Sequence, residues 1–147
     1  MGRIVVGVDG SEHSRDALRW AAAQASTMHA ELEAIICWHY PVLAADGFSG
    51  AVVPIDVEAL KDNARQTLDR AIEAALPDDV SRAGIVRTVA EGSPGHVLVE
   101  ASTGAELLVV GSRGHGGFAG LLLGSVGAHC VHHAHCPVTV IRPEKTA

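Results

Sequence analysis

Residues 111–125 read GSRGHGGFAGLLLGS, six glycines in fifteen positions directly after the apolar run Leu107–Val110. Glycine loses the most conformational freedom on folding, so a cluster at a strand end implies positive-φ turns or a main chain that must approach something closely. A Gly/Ser linker would not interleave Phe118, Leu121, Leu122 and Leu123. Gly111, Gly114, Gly116 and Gly117 can present successive N–H groups as a concave anion nest, and a helix opening at Gly124-Ser125 adds unpaired amides and the positive end of its dipole. Ser125 is expected there as the N-cap or as a hydroxyl donor. The chain has only two lysines, Lys61 and Lys145, and nine scattered arginines. Any anion must therefore be held by amides, isolated arginines or a metal ion, and two amide clusters suit a polyphosphate.

A second concentration of chemistry is His129, Cys130, His132, His133, His135 and Cys136. On one helix, positions 129, 132, 133 and 136 share a face at metal-ligand spacing. A zinc or copper site stands as the alternative to a mixture of buried and solvated imidazoles, which is the expectation. Cys37 falls in an apolar run and Cys136 precedes Pro137, so both are expected to be buried, inert thiols. No catalytic residue is assigned, because no nucleophile with an aligned base stands out; Asp9 with a metal could support no more than slow hydrolysis.

The elements that must position these groups follow from periodicity. Arg3–Val8 is a β-branched strand that ends in the turn Asp9-Gly10, followed by a helix over about 14–28 with Leu18, Ala21, Ala22, Ala25 and Met28 on one stripe. Leu32–Trp38 is the second strand, and a loop rich in Pro and Gly leads to a helix over about 56–75 that Pro77 ends. Ile85–Ala90 is the third strand. Ser93 is the expected N-cap of the next helix, with Pro94 at its first position. Leu107–Val110, apolar on both faces, reads as a central strand. A helix over about 124–134 and the strand Val138–Arg142 complete the order.

Alternating strands and helices with right-handed crossovers give an open parallel sheet with helices on both faces. If strands 1-2-3 wind one way and 4-5 the other, the topological switch point falls between strands 1 and 4. Ligands of such sheets bind there, beyond the carboxyl ends of the strands, so Asp9-Gly10 and the glycine segment should face each other. A P-loop is excluded, since no Lys follows Gly124. Gly114-x-Gly116-x-x-Ala119 matches the dinucleotide pattern but follows the fourth strand instead of the first.

Gly111-x2-Gly114-x9-Gly124-Ser125, the opening VGVDGSEHSRDALRWA and the ending HCPVTVIRP together resemble the universal stress protein family, in its single-domain, ATP-binding form. The resemblance implies an α/β fold with a five-stranded parallel sheet of order 3-2-1-4-5, the adenine nucleotide alpha hydrolase-like arrangement, with ATP at the switch point and a homodimer. On that resemblance Asp9, next to Gly7 and Val8, would lie near ribose and a Mg2+ ion carried by the nucleotide. The backbone around Ile36 and Cys37 would meet adenine, where ICWHY departs from the family's usual small or valine-rich stretch. Gly111, Ser112, Gly114, Gly124, Ser125 and Val126 would bind ribose and phosphates, with Arg113, His115 and Gly116 beside them.

At 147 residues one domain over 1–147 is expected, and 48% hydrophobic with 3% aromatic residues favours α/β over a sandwich. A net charge of −6 without a basic cluster argues against nucleic acid. The apolar run near Met1 is too short for a signal peptide and no stretch is long enough to span a membrane, so a cytoplasmic protein is expected. Strand 5 should be an edge with an apolar rim, and pairing of two such edges about a two-fold axis would give the homodimer. The expected role is ATP-dependent regulation through an unknown protein partner in a stress response. The alternatives are a nucleotide-independent interaction module of the same fold and an enzyme using a flavin or dinucleotide.

Overall fold

The computed structural model describes residues 1–40, 55–113 and 123–143. Its elements in chain order are β1 (Arg3–Val8), α1 (Glu12–Met28), β2 (Glu31–Trp38), α2 (Val57–Ala75), α3 (Asp79–Arg82), β3 (Val86–Glu91), α4 (Pro94–Ala101), β4 (Leu107–Gly111), α5 (Ser125–His133) and β5 (Val138–Ile141). The sheet order is β3-β2-β1-β4-β5, and every neighbouring pair is parallel. This is the order that the sequence led us to expect. β1 and β4 are adjacent in register, Val5 opposite Leu108 and Val6 opposite Val109.

The two faces of β1 separate two cores, because successive strand residues point to opposite sides. Ile4, Val6 and Val8 pack with Leu18 of α1 and Leu68 and Ile72 of α2. Val5 packs on the other side with Leu98 of α4, Leu108 and Cys130 of α5. Ile4, Val5, Val6, Leu108 and Val109 have no exposed surface, which accounts for the unbroken apolar runs of β1 and β4. Gly7 belongs to this packing: a Cβ there would stand 2.7 Å from Leu98 Cδ1, so its bare backbone lets α4 close onto the sheet.

The element ends refine the expectations. α1 starts at Glu12 because Ser11 caps it, its side chain accepting the Ser14 N–H at 3.2 Å. The unanticipated short turn α3 forms where Asp78 accepts the Ser81 N–H at 2.7 Å, a local D-x-x-S cap with too few apolar residues to register as a helix. Ser93 does precede α4, yet its side chain makes no capping bond. α5 ends at His133, and Ala134 is already extended, so Cys136 lies off the helix. Among the described residues no helix is long and apolar enough to cross a membrane.

Candidate functional site

Strand order alone creates a crevice above β1 and β4. The chain leaves β1 toward α1 on one face, while α5, which follows β4, packs on the other. Asp9 and Gly10 make the first wall. Asp9 Oδ1 accepts the Ser11 N–H at 2.9 Å, the Asp9 N–H donates to Ser14 Oγ at 3.3 Å, and Ser14 Oγ donates to the Ser11 carbonyl at 2.9 Å. Gly10 sits at φ 85°, a conformation that side chains with a Cβ rarely adopt. The turn is thus fixed from three directions before any ligand arrives.

The opposite wall is built on buried Ser112. Its N–H donates to the Ile141 carbonyl at 2.8 Å, extending the β4–β5 ladder, and its own carbonyl accepts the Gly124 N–H at 2.6 Å. That second bond ties the start of α5 to the end of β4. It also corrects one expectation: the Gly124 amide is committed to Ser112 and is not a free anion donor. Gly124 is the N-cap residue and makes no side-chain capping bond, whereas Ser125 is the first helical residue and so is not the cap. The N–H groups of the first helical turn, at Ser125 and Val126, have no partner within the helix.

Between these walls lies a cavity of about 540 Å3. β1 and its turn contribute Gly7, Val8 and Asp9; β2 contributes Ile36 and Cys37; β4 and its extension contribute Gly111, Ser112 and Arg113; and α5 contributes Gly124, Ser125 and Val126. These are all the sequence-selected residues that fall within the described segments. Gly114, His115 and Gly116 lie outside the described residues.

Two features of the lining bear on chemistry. Arg113 is half-buried, and its buried Nε has no hydrogen-bond partner among the described residues. An orphaned donor on a cationic side chain costs free energy unless something accepts from it, so it is the group most in want of an anion. Gly111 is explained differently from the expectation. A Cβ there would lie 2.9 Å from the His13 carbonyl oxygen, so the glycine is required by the first turn of α1 packing on β4, whatever the cavity holds.

Sequence reasoning missed the wall supplied by α2. Leu60, Asn63, Ala64 and Thr67 line the cavity, as do Trp38 and His39 at the end of β2. The only signal available was polar residues at 63 and 67 interrupting the apolar stripe of a helix fifty residues from the glycine segment.

The cysteines are unsuited to nucleophilic work. Burial raises Cys37 to about 11 and Cys130 to about 11, and it raises Cys136 as well, partly offset by nearby Arg3. Thiolate is scarce at neutral pH under those conditions. The histidine-rich segment does not assemble as a four-ligand helical face, since Cys136 lies beyond α5. Instead His129 lies between His96 of α4, at 5.5 Å between ring centroids, and His133, at 4.6 Å. Among the described residues no group of three or more His, Cys, Asp or Glu is arranged to hold a metal ion.

Comparison with known proteins agrees with this architecture. Residues 1–142 match the Universal stress protein family. A universal stress protein of Mycobacterium tuberculosis is 36% identical over 143 residues, which is 97% of this chain and 46% of that protein; the chain spans about half the length of the curated relatives it matches. The universal stress protein UspA from Lactobacillus plantarum has a TM-score of 0.73 at 21% identity, covering 96% of this chain and 97% of that one. A universal stress protein solved in complex with cAMP has a TM-score of 0.65 at 25% identity, covering 95% of this chain and 96% of that one. With its sheet order, its switch-point crevice and a match running over nearly its whole length, the chain belongs to the universal stress protein family.

Proposed function

We propose that this chain is an ATP-binding regulatory unit that holds the nucleotide across the switch point, base toward β2 and α2, phosphates toward Arg113 and α5. The observation that carries this reading is the division of one cavity into two chemical ends. Ile36, Cys37, Leu60 and Ala64 make one end apolar, while Arg113 and the first-turn amides of α5 make the other a set of donors. β1 lies between β2 and β4, so the two ends are about 10 Å apart at ~4.8 Å per strand. A flat apolar head joined to an anionic tail matches that span. The cavity volume lies within the range of small-molecule sites, and the cAMP bound by a relative is an adenine nucleotide.

In this reading the backbone of Gly7 and Val8 floors the cavity, and Asp9 meets the ribose or a Mg2+ ion held with the phosphates. Ser112, Ser125 and Val126 face the phosphates, joined by Gly114, His115 and Gly116 of the glycine segment. Mg2+ would offset phosphate charge in a chain that has few lysines. The bound nucleotide changes the surface offered to a protein partner, and two copies pair through β5, whose four residues are all partly exposed. We assign no catalytic residue.

The test is to denature the purified protein and identify what it releases. ATP is the expected product, and added ATP should raise the melting temperature, because a ligand at a hundred times its Kd stabilises by about 2.7 kcal/mol. No released nucleotide together with no thermal shift in millimolar ATP would contradict the proposal.

A further inference from the structure

We infer that Asn63, supported by Thr67 one turn on, reads the base edge at the α2 end of the cavity and selects adenine over guanine. This rests on the nucleotide reading above and adds its specificity. Positions 60, 63, 64 and 67 stand at i, i+3, i+4 and i+7 on α2, so they form one face, and all four line the cavity. Leu60 and Ala64 offer that face apolar surface for a flat ring. Asn63 and Thr67 add polar groups to an otherwise apolar stripe that continues into the core as Leu68, Ala71, Ile72 and Ala75.

The hydrogen-bonding states of the two side chains differ. Thr67 Oγ1 donates to the Asn63 main-chain carbonyl at 2.9 Å, so its proton is committed and it offers only lone pairs. The Asn63 carboxamide has no hydrogen-bond partner among the described residues, which leaves both its NH2 and its carbonyl available at the mouth of the cavity. A carboxamide pairs two-pronged with adenine, giving a proton to N7 and accepting one from the N6 amino group. Guanine presents two acceptors, O6 and N7, along the same edge. Either orientation of the carboxamide then sets its oxygen against an acceptor, so the group repels guanine as well as attracting adenine. Lys61 on the same helix is turned to the Trp38 ring at 5.7 Å and pairs with Glu58 at 3.7 Å.

The experiment measures Kd for ATP, GTP and inorganic triphosphate on the full chain and on Asn63→Ala, Thr67→Val and Arg113→Gln. The unaltered chain should prefer ATP over GTP by about tenfold or more. Asn63→Ala should weaken ATP about tenfold, bring the ATP/GTP ratio close to one, and leave triphosphate binding unchanged. Thr67→Val should shift the ratio in the same direction by less. Arg113→Gln should weaken ATP, GTP and triphosphate together and keep the ratio. Asn63 is exposed and Ala is the better helix former, so the variant retains the fold, which its melting curve verifies. ATP binding with an unchanged ATP/GTP ratio in Asn63→Ala would overturn this inference alone. Failure of the unaltered chain to bind either nucleotide would overturn the site reading with it.

Discussion

Two concavities lined by described residues lie at opposite ends of the sheet, and the larger is the less equipped. At the amino ends of the strands, a groove of about 740 Å3 runs between α1 and the α2–α3 region, against about 540 Å3 at the switch point. Much of the groove wall is small or apolar, with Ala22, Ala25, Ala30, Leu76 and Ile85 among its residues. Of its polar residues, Arg19 is paired with Asp16 at 2.7 Å and Ser81 donates to Asp78 at 2.7 Å. At the switch point the buried Arg113 Nε has no partner among the described residues, and α5 opens without a side-chain cap. A parallel sheet produces hollows at both ends, and ligands of open α/β sheets bind at the end where the strands terminate and helices begin. Unmet hydrogen-bonding capacity, more than volume, marks a ligand site.

The most damaging way to break this contrast is Gly111→Ala. The new Cβ would meet the His13 main chain, which cannot swing aside like a flexible side chain, so α1 and β4 must separate. Overpacking of this kind costs about 1–3 kcal/mol, and both walls of the cavity shift with it. Denaturant melts and ATP titration should both register the change. Next comes Arg113→Gln, expected to weaken ATP about tenfold to a hundredfold, the range for a hydrogen bond to a charged group, without lowering the melting temperature. Calorimetric titration measures this directly.

A pH series sharpens the comparison from the interior. Burial holds Cys37 and Cys130 at about 11 in the folded chain, above the 9.0 of an ordinary thiol, so the folded chain retains protons that the unfolded chain releases. The stability they provide is complete below pH 9 and declines as pH rises from 9 toward 11. Melting temperatures across that window should fall, and serine at both positions should remove this part of the decline. Modification of Cys37 by a thiol reagent should be slow at pH 7 and slower with ATP, because Cys37 lines the cavity. The smallest effect belongs to the opposite groove: Ala22→Leu should leave ATP affinity within about twofold, as expected of distant, uncoupled sites.

Much of the fold was legible because its signals are local. The β-branched runs of β1 and β4 lie in the centre of the sheet, the stripe on α2 continues into the core, and Asp9-Gly10 ends β1 as its turn chemistry requires. Of the glycine segment, Gly111, Ser112, Arg113, Gly124 and Ser125 fall within the described residues and line the crevice. What escaped depends on contacts between distant parts of the chain. Nothing near Gly111 announces that His13 must pass above it, and nothing near Gly124 announces that Ser112 will take its amide. Asn63 and Thr67 became visible only once α2 was seen beside the end of β2. The histidine-rich segment misled for a local reason: the pattern continued to Cys136, but α5 stopped at His133.

The most direct test of the account is a crystal structure of the chain grown with ATP and Mg2+. Nucleotide density is expected across β1, with the base against Asn63 and Leu60 and the phosphates within hydrogen-bond reach of Arg113 and the Ser125 and Val126 amides. Phosphates at the α2 end, or nucleotide in the Ala22–Ile85 groove with the switch point empty, would contradict it.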